Sequence, residues 1–242
     1  MDYNIKIFDT LPSTNTELKA MAHAGALEGT VIIAKEQTAG RGRLGRSFYS
    51  PQNSGLYMSV LLRPEKNIPL SFVTPAAAVA VCRALETHNS PKLGIKWVND
   101  IFCNGKKISG ILTEVEFLPN SETIDFLVVG IGINLTTVTF PENLSGIADS
   151  VFKDKSIDKE KLITDILDNL FDFYRNIEKK EFATEYKERS LVINKNVTLI
   201  SGENKKDAFV TDISDDFGLL VKLPDGSIKN INTGEISVRF NS

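Results

Sequence analysis

Short runs rich in β-branched and aromatic residues recur along the first two thirds of the chain, at Ile5–Phe8, Val31–Glu36, Leu56–Leu62, Leu93–Trp97, Ile111–Phe117 and Phe126–Asn134. Runs of this kind predict β-strands. Elsewhere the apolar spacing changes to threes and fours. Ile163, Ile166, Leu167, Leu170, Tyr174 and Ile177 form one stripe that predicts a long helix over about Asp158–Glu178, with a shorter one over about Phe182–Arg189. A further helix is predicted over Thr74–Thr87, where Thr74 can cap and Pro75 suits the first helical position. Ser13-Thr14-Asn15 precedes a short helical segment, Thr16–His23, and taken alone reads as an N-cap cluster. Strands and helices intermingle without strict alternation, which predicts an α+β fold with a mixed β-sheet flanked by helices.

Beyond Val197 the pattern is different. Val197–Ser201, Ala208–Ile213, Gly218–Lys222, Ser227–Ile231 and Ile236–Phe240 are separated by turns containing Gly202, Asp215-Asp216, Asp225-Gly226 and Thr233-Gly234. Closely spaced short strands predict a small β-barrel. The chain therefore divides into residues 1–189 and 190–242, and a length of 242 residues suits one large and one small domain. The charged run Lys153–Lys161 mixes both signs and reads as a solvated helix start.

Composition narrows the field. Hydrophobic residues make up 42% of the chain, enough for a full core, and the net charge of −3 gives no global attraction to nucleic acid. The first fifteen residues carry no basic-then-apolar leader, and the apolar stretches Ala76–Cys82 and Phe126–Ile133 are far shorter than the ~20 residues that span a bilayer. Cys82 and Cys103 are too few for a disulfide framework, and His23 and His88 are isolated. These features together predict a cytoplasmic protein with reduced thiols, no membrane association and no zinc site.

Against this acidic background, residues 37–64 contain Arg41, Arg43, Arg46 and Arg63 and no acid at all. Within the window, Gly40-Arg41-Gly42-Arg43-Leu44-Gly45-Arg46 interleaves glycines, which let a backbone approach a ligand, with guanidinium groups suited to carboxylate or phosphate. The glycines also satisfy G-x-G-x-x-G. The segment after Arg46 is turn-rich rather than helical, however, so a dinucleotide fold is not indicated. A second cluster, Lys96-Trp97-Val98-Asn99-Asp100, ends a strand, and Asn104-Gly105 then predicts a hairpin. On the return strand Lys106 and Lys107 point to opposite faces; spacing leaves open whether one turns inward towards an anion or both reach solvent. A third cluster, Gly130-Ile131-Gly132-Ile133-Asn134, places glycines inside a strand, where a ligand or another backbone can come close.

Together these segments resemble the biotin protein ligases. The likeness rests on Ser13-Thr14-Asn15, on Gln37 with the Gly-Arg loop, on Lys96–Asp100, on Lys107-Ile108-Ser109-Gly110, on Gly130–Asn134 and on Gly234-Glu235-Ile236-Ser237. Val98 stands where the family usually has proline, and Phe48 where it often has tryptophan. The resemblance implies a catalytic domain of the class II aminoacyl-tRNA synthetase-like, biotin/lipoate ligase type, with an SH3-like C-terminal barrel. It implies activation of biotin by ATP as biotinyl-5′-AMP and transfer to a lysine of a biotin carboxyl carrier protein. By the same likeness, Ser13, Thr14, Asn15, Gln37, Gly40, Arg41, Gly42, Arg43, Lys107 and Gly110 are expected to bind biotin. Arg43, Phe48, Asn99, Asp100, Lys107 and Asn134 are expected to bind ATP, and Lys107, Arg43 and Arg41 to act in catalysis. Mg²⁺ is expected to be held mainly by the ATP phosphates, with no certain protein ligand. A homodimer is allowed and a DNA-binding role is not expected, because catalytic-type sequence begins within the first fifteen residues. A lipoate–protein ligase is the nearest rival, although its Arg-Arg-x-Ser-Gly-Gly-Gly pattern is missing.

Overall fold

A computed structural model describes residues 3–153, 156–201, 203–232 and 235–238. Seven strands, β1 (Asn4–Leu11), β2 (Thr30–Gln37), β3 (Gly55–Leu62), β4 (Gly94–Lys96), β5 (Asp100–Cys103), β6 (Lys106–Phe117) and β7 (Ile124–Asn134), form one sheet in the order β1-β2-β3-β7-β6-β5-β4. Only β1 and β2 run parallel, joined across one face by α1 (Thr14–His23); the other neighbours are antiparallel. The sheet is mixed, as the intermingled pattern predicts. Asn104 and Gly105 both take positive φ, 49° and 77°, which is the geometry that turns β5 tightly into β6.

Strand alternation assigns the two faces. Val31, Ile33, Met58, Val60, Val129 and Ile131 point to one side, where they are buried with α2 (Leu70–Thr87), α4 (Lys159–Arg175) and α5 (Ala183–Glu188). Ile32, Ala34, Leu61, Phe126 and Val128 point to the other, under Leu18 and Ala22 of α1. A short turn of helix, α3 (Glu142–Ser145), lies in the connection from β7 to α4. Of the predicted stripe, Ile163, Ile166, Leu167 and Leu170 are buried and Tyr174 is half-buried. The helix α4 ends at Arg175, so buried Ile177 falls in a separate 3-10 turn, Ile177–Lys179. Asp158 caps the helix by accepting from the Lys161 N–H.

The predicted start of α2 needs correction. The helix begins at Leu70, so Pro75 sits inside it and forgoes one backbone bond. Phe72 and Val73 explain the early start: both are buried, and the Phe72 ring packs edge-on against Phe217 at 5.2 Å. Thr74 does not cap; its hydroxyl pairs with that of Thr113 on β6 at 2.8 Å. At 18 residues α2 has the length and composition to cross a bilayer, but most of it is buried against the sheet and α4.

The C-terminal strands β8 (Asn196–Ser201), β9 (Asn204–Ile213), β10 (Leu219–Lys222), β11 (Ile228–Ile231) and β12 (Glu235–Val238) form an antiparallel sheet in the order β11-β10-β9-β8-β12. Among the described residues no ladder joins β11 to β12, so the ladder is open where the pattern predicts a barrel. Gly202, Thr233-Gly234, Phe240 and part of the Lys153–Lys161 run lie outside the described residues. This sheet docks through Phe217, which stacks on Phe182 at 5.3 Å and whose carbonyl accepts from the Trp97 indole at 2.8 Å. Buried Tyr186 braces the same junction by donating to the Val98 carbonyl at 3.0 Å. Tyr186→Phe removes that donor and is expected to cost about 1–2 kcal/mol. A urea titration should then give a lower midpoint with an unchanged slope.

Candidate active site

On the face covered by α1, the side chains of β7 shrink from Phe126 and Val128 to Gly130 and Gly132. That change opens a cleft of about 140 Å³ beside the end of the helix. Gly132 lies opposite Gly110 of β6 in the ladder, and the pair leaves a notch filled by the Phe48 ring. A Cβ on Gly132 would come within 2.6 Å of that ring. Most of the residues predicted for the site line this one cleft: Ser13, Thr14, Asn15, Gln37, Arg41, Gly42, Arg43, Phe48, Asn99, Asp100, Lys107 and Gly110. Gly40 and Asn134 do not. Gly40 sits at the root of the Gly-Arg loop, where a Cβ would overlap the Phe48 carbonyl oxygen. Asn134 ends β7, donates to the Asp149 carbonyl at 3.3 Å and keeps a buried Oδ1 without a hydrogen-bond partner.

One end of the cleft is polar and uncharged. Ser13 occupies the N-cap position of α1 but its side chain makes no capping bond, so the cap reading of this cluster fails for the hydroxyl. Thr14 and Asn15 instead enter a chain of contacts. The Thr14 hydroxyl is 3.1 Å from Gln37 Oε1 and 2.8 Å from Ser59 Oγ, and Ser59 Oγ is 2.6 Å from Asn15 Oδ1. Both ends of the chain are fixed as acceptors. Gln37 Oε1 receives the Thr14 N–H at 2.9 Å, while its Nε2 donates to Ser50. Asn15 Nδ2 donates to Glu114 Oε2 at 2.9 Å and to the Leu112 carbonyl at 3.3 Å. Two hydroxyls therefore supply two hydrogens for three oxygen–oxygen contacts. The chain is one hydrogen short, and a ligand bearing an N–H donor would complete it.

The other end is cationic. Arg43, Arg46, Lys96 and Lys107 line it, with Asp100 as the one carboxylate lining the cleft among the described residues. Arg41 also lines the cleft but pairs with Glu114, the partner of Asn15, at 3.1 Å. Spacing leaves the direction of the hairpin lysines open; Lys107 is the one that enters the cleft, with Nζ 2.6 Å from Asp100 Oδ1. Its backbone is held on both sides, donating to the Ile147 carbonyl at 2.9 Å and accepting from the Asp149 N–H at 3.0 Å. Lys106 points away, towards the Ser145 carbonyl. The Gly-Arg loop folds back on itself: Gly42 N–H donates to Arg46 at 2.7 Å and Phe48 N–H to Gly40 at 2.9 Å. Leu44 and Gly45 make its turn with φ of 56° and 75°. Arg43 ties the loop to Asn99 at 3.2 Å, and Asn99 also donates to the Ile111 carbonyl at 2.9 Å. Asn99 is thus held from two sides, although the preceding residue is Val98 rather than proline; the Trp97–Val98 peptide is cis.

Ser59 and Glu114 belong to this arrangement, and sequence alone does not single them out as site residues; Gly130, which the in-strand glycine pattern marks, belongs to it too. Gly130 has a specific role: a Cβ there would overlap Asn15 Oδ1. The two-residue strand period is the available signal for Glu114, since Gly110, Leu112 and Glu114 share a face.

Comparison with known proteins places the chain in a family. Residues 7–134 match the Biotin/lipoate A/B protein ligase family, and residues 192–239 match the Biotin protein ligase C terminal domain. The chain is 39% identical over 166 residues to the bifunctional ligase/repressor BirA of Bacillus spizizenii, covering 66% of this chain and 50% of that protein. It is 32% identical over 198 residues to the biotin–[acetyl-CoA-carboxylase] ligase of Mycobacterium tuberculosis, covering 76% of this chain and 70% of that protein. The chain spans about half the length of its Bacillus relatives. Among solved structures, the biotin protein ligase of Aquifex aeolicus in complex with biotin and ATP superimposes with a TM-score of 0.83 at 30% identity, covering 98% of each chain. On these grounds the chain belongs to the biotin/lipoate A/B protein ligase family.

Proposed function

We propose that this protein is an ATP-dependent biotin protein ligase, acting on the carrier protein or domain of a biotin-dependent carboxylase. The observation that carries the reading is the pairing of the two ends of the cleft. A hydrogen-poor acceptor chain at one end suits the ureido N–H groups of biotin, and the arginine and lysine cluster at the other suits its carboxylate beside a nucleotide phosphate. The family likeness and the Aquifex complex with biotin and ATP support it.

In this reading a biotin carboxylate oxygen attacks the α-phosphorus of ATP, the bond to the bridging oxygen breaks and pyrophosphate leaves. The amine of the carrier lysine then attacks the acyl carbon of biotinyl-5′-AMP, loses a proton and expels AMP. Charge moves between oxygens in both steps, so fixed cations and positioning supply the acceleration. Lys107 exchanges Asp100 for the reacting carboxylate and the α-phosphate. Thr14, Asn15 and Gln37 hold the ureido end with Ser13 beside them, and Gly40, Arg41, Gly42 and Gly110 enclose the acid chain. Phe48, Asn99 and Asp100 form the nucleotide side, to which the family likeness also assigns Asn134 at the end of β7. Among the described residues no group of three or more His, Cys, Asp or Glu side chains forms a metal cage, so Mg²⁺ would arrive on the ATP phosphates and no step is assigned to a protein-held metal.

Residues 1–189 form the catalytic unit in this reading, and 190–242 a C-terminal unit that braces it through Trp97 and Phe217. ATP as co-substrate and two reduced, buried cysteines fit a cytoplasmic setting. Pairing through a sheet edge would allow a homodimer, while DNA and membrane binding are no part of the proposal. The test is transfer: with ATP and biotin, the purified chain should label a carboxyl carrier domain detectable with streptavidin, and not the same domain lacking its acceptor lysine. No label on either would overturn the reading.

Arg43 also affects retention of the adenylate. Arg43→Gly removes a cation and the tie to Asn99, so biotinyl-5′-AMP should escape roughly 10- to 100-fold faster. Retention of the adenylate on a filter measures this, and unchanged retention would refute it.

A further inference from the structure

Glu114 lies outside the lining of the cleft and takes no part in the steps above, yet it sits behind the polar end. It belongs to the cleft-side face of β6, with its side chain 17% exposed. One oxygen accepts from Asn15 Nδ2 at 2.9 Å; Arg41 Nη1 approaches both oxygens, at 3.1 and 3.2 Å, and Lys19 lies 3.9 Å from one of them.

We propose that Glu114 is a positioning residue that sets the acid specificity of the site, by fixing the Asn15 amide with its oxygen towards the ligand. The inference rests on the ligase reading. A carboxylate can only accept, so it takes the amide NH₂ of Asn15 and turns Oδ1 towards Ser59. The reverse orientation would set Oδ1 against a carboxylate oxygen, and would hand Ser59 a hydrogen from Asn15. The contact chain would then have enough hydrogens without a ligand. Glu114 thereby keeps the pocket short of one hydrogen, which favours a cyclic urea over an acid whose ring has no N–H. Arg41 and Lys19 neutralise the carboxylate from the other side, so its orienting effect is kept without leaving a lone buried charge. Gly130 completes the device, because any side chain there would occupy the position of Asn15 Oδ1.

The readout is a ratio: affinity for biotin divided by affinity for biotin methylated on each ureido nitrogen in turn, measured by equilibrium dialysis. In the unaltered protein at least one methylated form should bind about 10- to 100-fold more weakly, the effect of one buried acceptor left unfilled. Glu114→Gln satisfies Asn15 in either orientation, so biotin affinity should fall and the ratio should shrink to a few-fold. Glu114→Asp keeps an acceptor-only carboxylate, and its ratio should stay near the original even if both affinities fall. A purely structural role would lower both affinities together and leave the ratio unmoved in Glu114→Gln. That result, or a collapsed ratio in Glu114→Asp, overturns the proposal. Failure of the unaltered protein to bind biotin at all would instead overturn the ligase reading beneath it.

Discussion

Replacing Lys107 with alanine is expected to slow adenylate formation by roughly 30- to 1,000-fold, the equivalent of about 2–4 kcal/mol of transition-state stabilisation. The size reflects placement. The ammonium group stands in the cationic end of the cleft, 32% exposed and held 2.6 Å from Asp100, on a backbone pinned by the 147–149 segment. Little reorganisation is then needed when a carboxylate and a phosphate take the place of Asp100. Single-turnover formation of biotinyl-5′-AMP is the measurement, because product release does not enter it. Lys107→Ala also leaves Asp100 facing the incoming phosphates without its partner, so Lys107→Ala/Asp100→Asn should recover part of the substrate binding but not the rate. A single-turnover rate equal to the unaltered enzyme would refute the electrostatic role.

Gly130→Ala is the second large effect, and it acts at the opposite end. The new methyl would overlap Asn15 Oδ1, so Asn15 must leave its contacts with Ser59, Leu112 and Glu114. Overpacking of this kind costs about 1–3 kcal/mol. Since it falls on the residue that the proposed function assigns to the ureido end, biotin affinity should drop about 10- to 100-fold. ATP binding should change little. Gly132→Ala makes the contrast: its methyl meets the Phe48 ring, so the nucleotide side should suffer more than the biotin side. Calorimetric titration of the two variants with each substrate separates them. Equal losses for both substrates in both variants would mean that the two ends of the cleft are not independent.

Much of the fold and the charged half of the site is legible in the sequence, for physical reasons. The strands of the main sheet have a packed helical layer on one face, so the β-branched runs mark them well, and Asn104-Gly105 marks its hairpin because both residues tolerate positive φ. The start of α2 escapes a local reading because proline at a first helical position is a strong signal; burial of Phe72 and Val73 against distant residues outweighs it. The cationic end of the site can be read from Arg41–Arg46 and Lys107 because its chemistry is carried by residue type. The hydrogen-poor end is legible only in part: the resemblance marks Thr14, Asn15 and Gln37, but not how they are joined. Its chain joins Asn15 to Ser59, 44 residues away, and to Glu114, 99 residues away, through side chains that meet only when β3, β6 and β7 lie side by side. A serine and a glutamate in ordinary strand positions announce no such meeting.

Exchange of labelled pyrophosphate into ATP, with biotin and lipoate as parallel acids, tests the central claim most directly. It requires only the first half-reaction and no carrier protein. Exchange that depends on biotin and is absent with lipoate is the expected result, since only the cyclic urea supplies the hydrogen that the Thr14–Ser59–Asn15 chain lacks. Exchange with lipoate instead, or with neither acid, would contradict the assignment of this cleft to biotin.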